Sequence, residues 1–185
     1  MLSKNKIEST AEVISNKQIN IGHPEFYNVY NIDCYDSYGN LKWTEEVHNT
    51  VVNVGLNDVL DKYFKGSTYT AAFYVGLTDG TPTVAAADTM SSHAGWTEVT
   101  AYSESVRQTL TLGTVSSQSV DNSASKAVYS INGTATVGGI FVTTDSTKSG
   151  TSGTLYGGGA FTGGDKSVGS GDTLNVTVTL TAASA

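Results

Sequence analysis

Apolar and polar positions alternate most clearly near the two ends of the chain. Between Tyr27 and Tyr35, Tyr27, Val29, Asn31, Asp33 and Tyr35 share one side, and Asn28, Tyr30, Ile32 and Cys34 the other. A period of two predicts a strand. Asp36-Ser-Tyr-Gly-Asn40 supplies turn residues, with Gly39 free to take positive φ. Leu41–Asn49 then resumes the alternation, placing Trp43, Glu45 and Val47 on one face. The two runs predict a β-hairpin. At the other end, Thr173–Thr181 sets Leu174, Val176, Val178 and Leu180 against Thr173, Asn175, Thr177 and Thr179, after a turn at Ser170–Asp172.

The period changes once. Leu56, Val59, Leu60, Tyr63 and Phe64 stand at i, i+3, i+4, i+7 and i+8, which gathers them into one stripe of a helix over Val54–Gly66. Asn57, Asp58, Asp61, Lys62 and Lys65 cover its other sides, and Gly66 suits a left-handed stop. Such a helix is expected to cover the open end of a sandwich. Further strands are predicted at Ala71–Leu77, Thr97–Tyr102, Val106–Leu112, Ala127–Ile131, Ile140–Thr144 and Thr154–Tyr156. A turn is expected at Asp79–Pro82 and a long loop over Thr83–Gly95. Short strands with Gly-rich turns predict an all-β, two-sheet β-sandwich of jelly-roll or Greek-key type carrying one short helix. Residues 1–26 are polar, mixed in charge and weakly periodic, and are expected to form an N-terminal extended arm that orders on a neighbour. A first strand around Gln18–Gly22 is the alternative. The sandwich domain is placed at 27–185.

Charge sharpens this picture. The 119 residues from Ser67 onward carry four basic side chains (Arg107, Lys126, Lys148, Lys166) and eight acidic ones, while Ser, Thr and Gly supply 56 of them. Most enzyme chemistry needs grouped ionisable side chains, so this composition points away from catalysis. The net charge is −7 and no basic cluster is present. Direct contact with nucleic acid, which requires clustered Lys and Arg against phosphates, is therefore not expected. No apolar run approaches the ~20 residues of a membrane span. Ile7–Ile21 is broken by Glu8, Glu12 and Lys17, so no secretory signal is read there. With Cys34 as the single cysteine, an intramolecular disulfide and a zinc ribbon are both excluded.

Candidate chemistry is sparse. His23, His48 and His93 form no spaced metal-binding pair, and Asp33 and Asp36 before Gly39 lack the alternating oxygen ligands of an EF-hand. No Gly-x-Ser-x-Gly elbow positions a nucleophile. Glu45 and Glu46 are adjacent, so on a strand they point to opposite faces. Glu98 and Glu104 lie at hairpin spacing and are expected to be solvated. Gly157–Ser167 resembles a phosphate loop, but Asp165 separates Gly164 from Lys166 and no long helix follows, which predicts a turn-rich surface loop. Asn132-Gly-Thr and Asn175-Val-Thr match the N-glycosylation pattern by composition. The ten Tyr with Trp43 and Trp96 are expected to serve core and interface. No catalytic, cofactor-binding or metal residue is assigned, and no cofactor is expected.

Several segments resemble small virion proteins of tailed bacteriophages: Trp43–Gly66 (WTEEVHNTVVNVGLNDVLDKYFKG), Tyr69–Leu77 (YTAAFYVGL), Ala94–Glu104 (AGWTEVTAYSE), Asn122–Ile131 (NSASKAVYSI), Leu155–Gly159 (LYGGG) and Gly171–Leu180 (GDTLNVTVTL). The likeness covers most of residues 27–181 and not the N-terminal arm. On architecture it extends to the jelly-roll cement proteins on the heads of short-tailed phages. It implies a non-enzymatic capsid decoration protein on the virion head, made in the host bacterial cytoplasm. The implied partners are the major capsid protein and further copies of itself, as a homodimer or homotrimer, with no nucleic acid or membrane. The alternative is a tail, tail-fibre or adaptor component, with glycans as its candidate ligand.

Overall fold

The computed structural model describes residues 24–69 and 72–184. Its strands are β1 (Pro24–Tyr35), β2 (Leu41–His48), β3 (Thr50–Val51), β4 (Tyr74–Thr78), β5 (Gln108–Thr109), β6 (Ser119–Asp121), β7 (Ala127–Ser130), β8 (Ala135–Val137), β9 (Gly139–Thr143), β10 (Leu155–Ala160), β11 (Lys166–Val168) and β12 (Thr173–Ser184). Helix α1 (Asn53–Val59) continues into a π-helical turn, Leu60–Phe64, and a short 3₁₀ turn spans Ser123–Ser125.

The strands build two sheets and a small ribbon. In the first sheet the order is β2-β1-β12, and β6 and β7 share the far edge of β12. In the second it is β3-β10-β9-β4-β5, while β8 and β11 pair separately. All pairings are antiparallel. Neighbours such as β1 and β12, or β4 and β9, are far apart in the chain, as in Greek-key rather than up-and-down connections. Between the sheets lies one core: Tyr30, Ile32 and Cys34 of β1 and Leu174, Val176 and Val178 of β12 pack with Val75 and Leu77 of β4 and Ile140 and Val142 of β9. The predicted all-β sandwich with one short helix is thus present. Tyr129 joins its layers directly, donating a buried hydrogen bond of 2.7 Å from β7 to the Val75 carbonyl of β4.

The hairpin, the long loop and the last strand lie where the periodicity puts them, with β1 beginning at Pro24, inside the predicted arm. Residues 1–23, including the possible strand at Gln18–Gly22, lie outside the described residues. Several other predictions shift. Thr97–Tyr102 forms no strand; it makes isolated bridges from Glu98 to Thr78 and from Tyr102 to Ile131. In Val106–Leu112 only Gln108 and Thr109 join a ladder. Neither segment keeps a continuous partner, since the bend at Ser103–Val106 turns the chain between the two sheets. The strand expected over Ala71–Leu77 starts at Tyr74. β9 is buried on both faces, because the 84–96 loop folds over it and packs Met90 and Trp96 on Phe141 and Leu155. A strand covered on both sides loses its alternation.

Glycine accounts for the largest difference. Gly157–Gly159, predicted as part of a surface loop, form the buried middle of β10. A Cβ on Gly157 would lie 2.6 Å from the Thr50 carbonyl oxygen, and one on Gly159 would lie 2.7 Å from Val47 Cγ1. The chain passing from the first sheet to the second therefore runs directly against the β10 backbone, which only a strand without side chains permits.

The helix docks the same way. Val52 and Gly55 are buried and Val59 packs on the main core, so the contact face is offset from the predicted stripe. The rest of the stripe remains in solvent: Leu60 is 55% exposed, Tyr63 80% and Phe64 74%. The helix thus covers one end of the sandwich as expected, but through a neighbouring face that shares only Val59 with the predicted stripe. Its last turn also widens, with the Lys65 N–H bonding the Leu60 carbonyl at 3.3 Å, and Gly66 ends it at φ +72°.

A Cβ on Gly55 would approach the Tyr156 carbonyl oxygen to 2.4 Å. In an isolated helix Gly→Ala gains about 1 kcal/mol. Here Gly55→Ala is expected to reverse that sign and destabilise by about 1–3 kcal/mol through overpacking against backbone. Urea denaturation of the two proteins measures it.

Candidate interaction surface

The buried charged side chains among the described residues are tied into structural bonds. Arg107 is 1% exposed and meets Glu98, 6% exposed, in a two-point pair: Nε donates to Oε1 at 2.9 Å and Nη2 to Oε2 at 2.8 Å. The same guanidinium donates at 2.8 Å to the carbonyls of Asp145 and Gly150, and Glu98 accepts the Ser149 N–H at 2.7 Å. The pair staples the 145–150 loop onto the sandwich. A cleft of about 160 Å³ beside it is walled by Met90, His93 and Trp96, with His93 stacked on the Trp96 ring at 3.7 Å. The Glu98 oxygens there are already occupied by the arginine and a backbone amide.

Glu45 points inward from β2 and Glu46 outward, as their adjacency predicts. Glu45 holds the Lys166 ammonium at 2.7 Å and accepts the Gly163 N–H at 2.9 Å. Burial alone would raise its carboxyl; Lys166, Gly163 and Thr162 outweigh that and hold it below the usual carboxylate range. Glu98 and Glu104 do not meet as a pair. Glu98 is buried against Arg107 rather than solvated, and Glu104 accepts the Ser130 N–H at 3.1 Å. The single arginine of the chain, inside the predicted strand Val106–Leu112, is the only sequence signal of that buried pairing.

The other candidates are dispersed. His23 lies outside the described residues, His48 sits on the surface 3.0 Å from Glu46, and His93 is in the Trp96 stack. Among the described residues no three His, Cys, Asp or Glu side chains gather as a metal site. Asp36 closes the hairpin turn by accepting from Asn40 and Tyr38, which lowers its carboxyl, and Asp33 accepts the Thr44 hydroxyl. Cys34 is fully buried, and burial pushes its thiol up to about 11. The Gly157–Ser167 segment is strand, turn and strand with no helix following. Asn175 is paired within β12. Among the described residues no helix is long and apolar enough to cross a membrane.

The aromatics divide cleanly. Trp96, Tyr30, Tyr102, Tyr129 and Tyr156 are buried, and Trp43 packs on Phe161 at 5.9 Å. Outside, Tyr63 and Phe64 meet edge to face at 5.0 Å on the free face of the helical segment, with Leu56 and Leu60 on the same stripe. Tyr69, 72% exposed, borders it across a hollow of about 240 Å³ floored by Val59 and Phe73 and rimmed by Asp58 and Lys62. Apolar aromatic surface with a charged rim has the anatomy of a protein interface. The stripe was visible as periodicity, but its exposure was not, because the sequence does not say which side of a helix docks.

No protein-family model matches this chain, and neither does any curated protein.

The buried carboxylates carry a measurable consequence. Glu45 has a folded value below its ordinary 4.5, so its stabilisation is complete above that value and is lost as pH falls through the lower, folded one. Lys166→Met removes the main compensating charge. The acid limb of its stability curve is expected to move to higher pH than in the unaltered protein, as read from urea denaturation between about pH 6 and 3. Glu98→Gln leaves Arg107 buried beside a neutral amide and is expected to cost about 3–5 kcal/mol in the same measurement at neutral pH.

Proposed function

We propose that this protein is a structural component of a bacteriophage virion, a cement or decoration protein that binds the outer head and bridges major capsid protein subunits. The observation that carries the reading is the solvent-facing helix stripe of Leu56, Leu60, Tyr63 and Phe64 on a sandwich whose buried charges are used to fix loops. A rigid body with one aromatic face is suited to adding buried interface to a shell. The resemblance of Trp43–Gly66, which contains that stripe, to small phage virion proteins supports the same assignment. Stable contacts of this class bury about 1,200–2,000 Å² in total. Repeated over a capsid, and joined through self-association into dimers or trimers, modest contacts gain strength by multivalency. In this reading the surface takes protein partners, and the protein acts on the head without catalysis or a cofactor.

The test is co-sedimentation of the full-length protein with expanded capsids. Binding is expected, and Tyr63→Ser with Phe64→Ser is expected to weaken it at least about tenfold, a loss of about 1.4 kcal/mol or more. The same substitutions should leave the denaturation midpoint nearly unchanged, as exposed side chains contribute within about 0.5 kcal/mol. Absence of binding to expanded capsids would sink the head assignment. Location at the tail in imaged virions would favour the adaptor reading instead.

A further inference from the structure

The exposed face of the helical segment reads the same from both ends. Between Leu56 and Phe64 the exposed positions are Leu56, Asn57, Leu60, Tyr63 and Phe64, while Asp58, Val59, Asp61 and Lys62 are partly covered. Counted from Leu60, the exposed positions stand at −4, −3, 0, +3 and +4. A second copy laid antiparallel across a two-fold axis at Leu60 therefore presents the same pattern. Leu56 falls at the level of Phe64 of the second copy, Asn57 at the level of its Tyr63, and Leu60 meets Leu60. Apolar positions oppose apolar ones, and the Asn57 amide stands opposite a phenolic hydroxyl that both donates and accepts. This is the isologous arrangement of a closed dimer, in which each contact occurs twice.

Charge selects the same orientation. Asp58 and Lys62 lie two residues to either side of Leu60. Antiparallel packing brings each Asp58 to the level of Lys62 of the other copy, whereas parallel packing sets acid beside acid and base beside base. Area sets the strength. Tyr63 is 80% exposed and Phe64 74%, and an aromatic side chain buries about 150–250 Å², so the two offer on the order of 300 Å² per copy. Leu56, Leu60 and the charged flanks extend this toward the roughly 800 Å² per partner of a standard interface. The edge-to-face contact of Tyr63 with Phe64 at 5.0 Å orders both rings before association, which reduces the side-chain entropy lost on binding. A face of this size supports a reversible dimer with a Kd on the order of micromolar.

We propose that the stripe is a homodimerisation face, on which two copies pack their helical segments antiparallel across a two-fold axis at Leu60. One sandwich then lies on either side of the paired helices. The inference rests on the reading of the stripe as a protein interface and names its partner as a second copy. On a capsid the dimer would bring two bodies to the shell, so that stripe substitutions weaken binding there through lost multivalency.

Sedimentation equilibrium of the full-length protein alone, from about 1 to 100 µM, tests it. A monomer–dimer equilibrium is expected. Leu60→Asp sets two carboxylates against each other at the axis and is expected to raise the Kd at least about tenfold, while the denaturation midpoint stays nearly unchanged because Leu60 is exposed. Register is read by disulfide formation under mild oxidation, since Cys34, the only cysteine of the chain, is buried. Leu60→Cys is expected to yield a disulfide dimer, because a residue on a two-fold axis faces itself. Asn57→Cys should yield at least about tenfold less, since its two copies lie roughly 9 Å apart along the helices, beyond disulfide reach. A protein that stays monomeric to about 100 µM would overturn the proposal. So would a trimer, a dimer unmoved by Leu60→Asp, or crosslinking no greater at position 60 than at 57. A monomer that still binds expanded capsids sinks the dimer alone, and a dimer that ignores them sinks the capsid assignment alone.

Discussion

The pairing of β1 with β12 is the constraint on which the rest of the architecture hangs. All twelve residues of β1, Pro24 to Tyr35, stand opposite β12 in unbroken register, from Pro24 against Ser184 to Tyr35 against Thr173. Every other strand of the first sheet attaches to one of these two: β2 to β1, and β6 and β7 to β12. The partners lie at opposite ends of the described chain, so their ladder closes nearly the whole of it into one loop. Loop entropy rises only slowly with length, and the two alternating faces, Tyr30, Ile32 and Cys34 beside Leu174, Val176 and Val178, bury enough apolar surface to offset it. A one-residue slip would turn both sets outward, so the register is strongly specified.

The second sheet is held to this frame by backbone proximity and by charge. Gly157 and Gly159 let β10 lie against the segment that links β2 to β3, and Gly55 lets the helix sit on the backbone of Tyr156. Where loops have little apolar surface of their own, buried ion pairs do the fastening: Arg107 with Glu98 at the 145–150 loop, and Glu45 with Lys166 at the turn after β10. Such pairs add geometric definition more than net stability, since desolvation consumes much of their attraction. The few charges of the β region are therefore concentrated where the chain would otherwise be loosest.

A consequence of the glycine-mediated docking is functional. A helix that approaches its support through Gly55 uses little of its apolar stripe for folding, and Leu60, Tyr63 and Phe64 are left outside. That surface is the principal support for an assembly role. The cement-protein reading joins it to a rigid body whose buried charges hold loops in place.

Much of the fold was legible in the sequence. Strict alternation marked β1, β2 and β12, because each has one face on the core and one toward water; a period of 3.6 marked the helix, and a Gly–Asn turn the hairpin. These signals are local, and local periodicity records how many sides of an element are covered. What lay beyond reach was decided by contacts between distant segments. β10 was legible only at its start, within Thr154–Tyr156, since its glycines are required by backbone passing at Asn49 and Thr50 rather than by any turn of their own. β9 lost its alternation because a loop 45 or more residues earlier covers its outer face through Met90 and Trp96. The burial of Glu98 depends on Arg107 reaching across to the 145–150 loop. Above all, the sequence determined that Leu56, Leu60, Tyr63 and Phe64 form one apolar stripe, while only the tertiary structure decided that the stripe faces solvent, because the closest packing available to the helix was through the residue with no side chain.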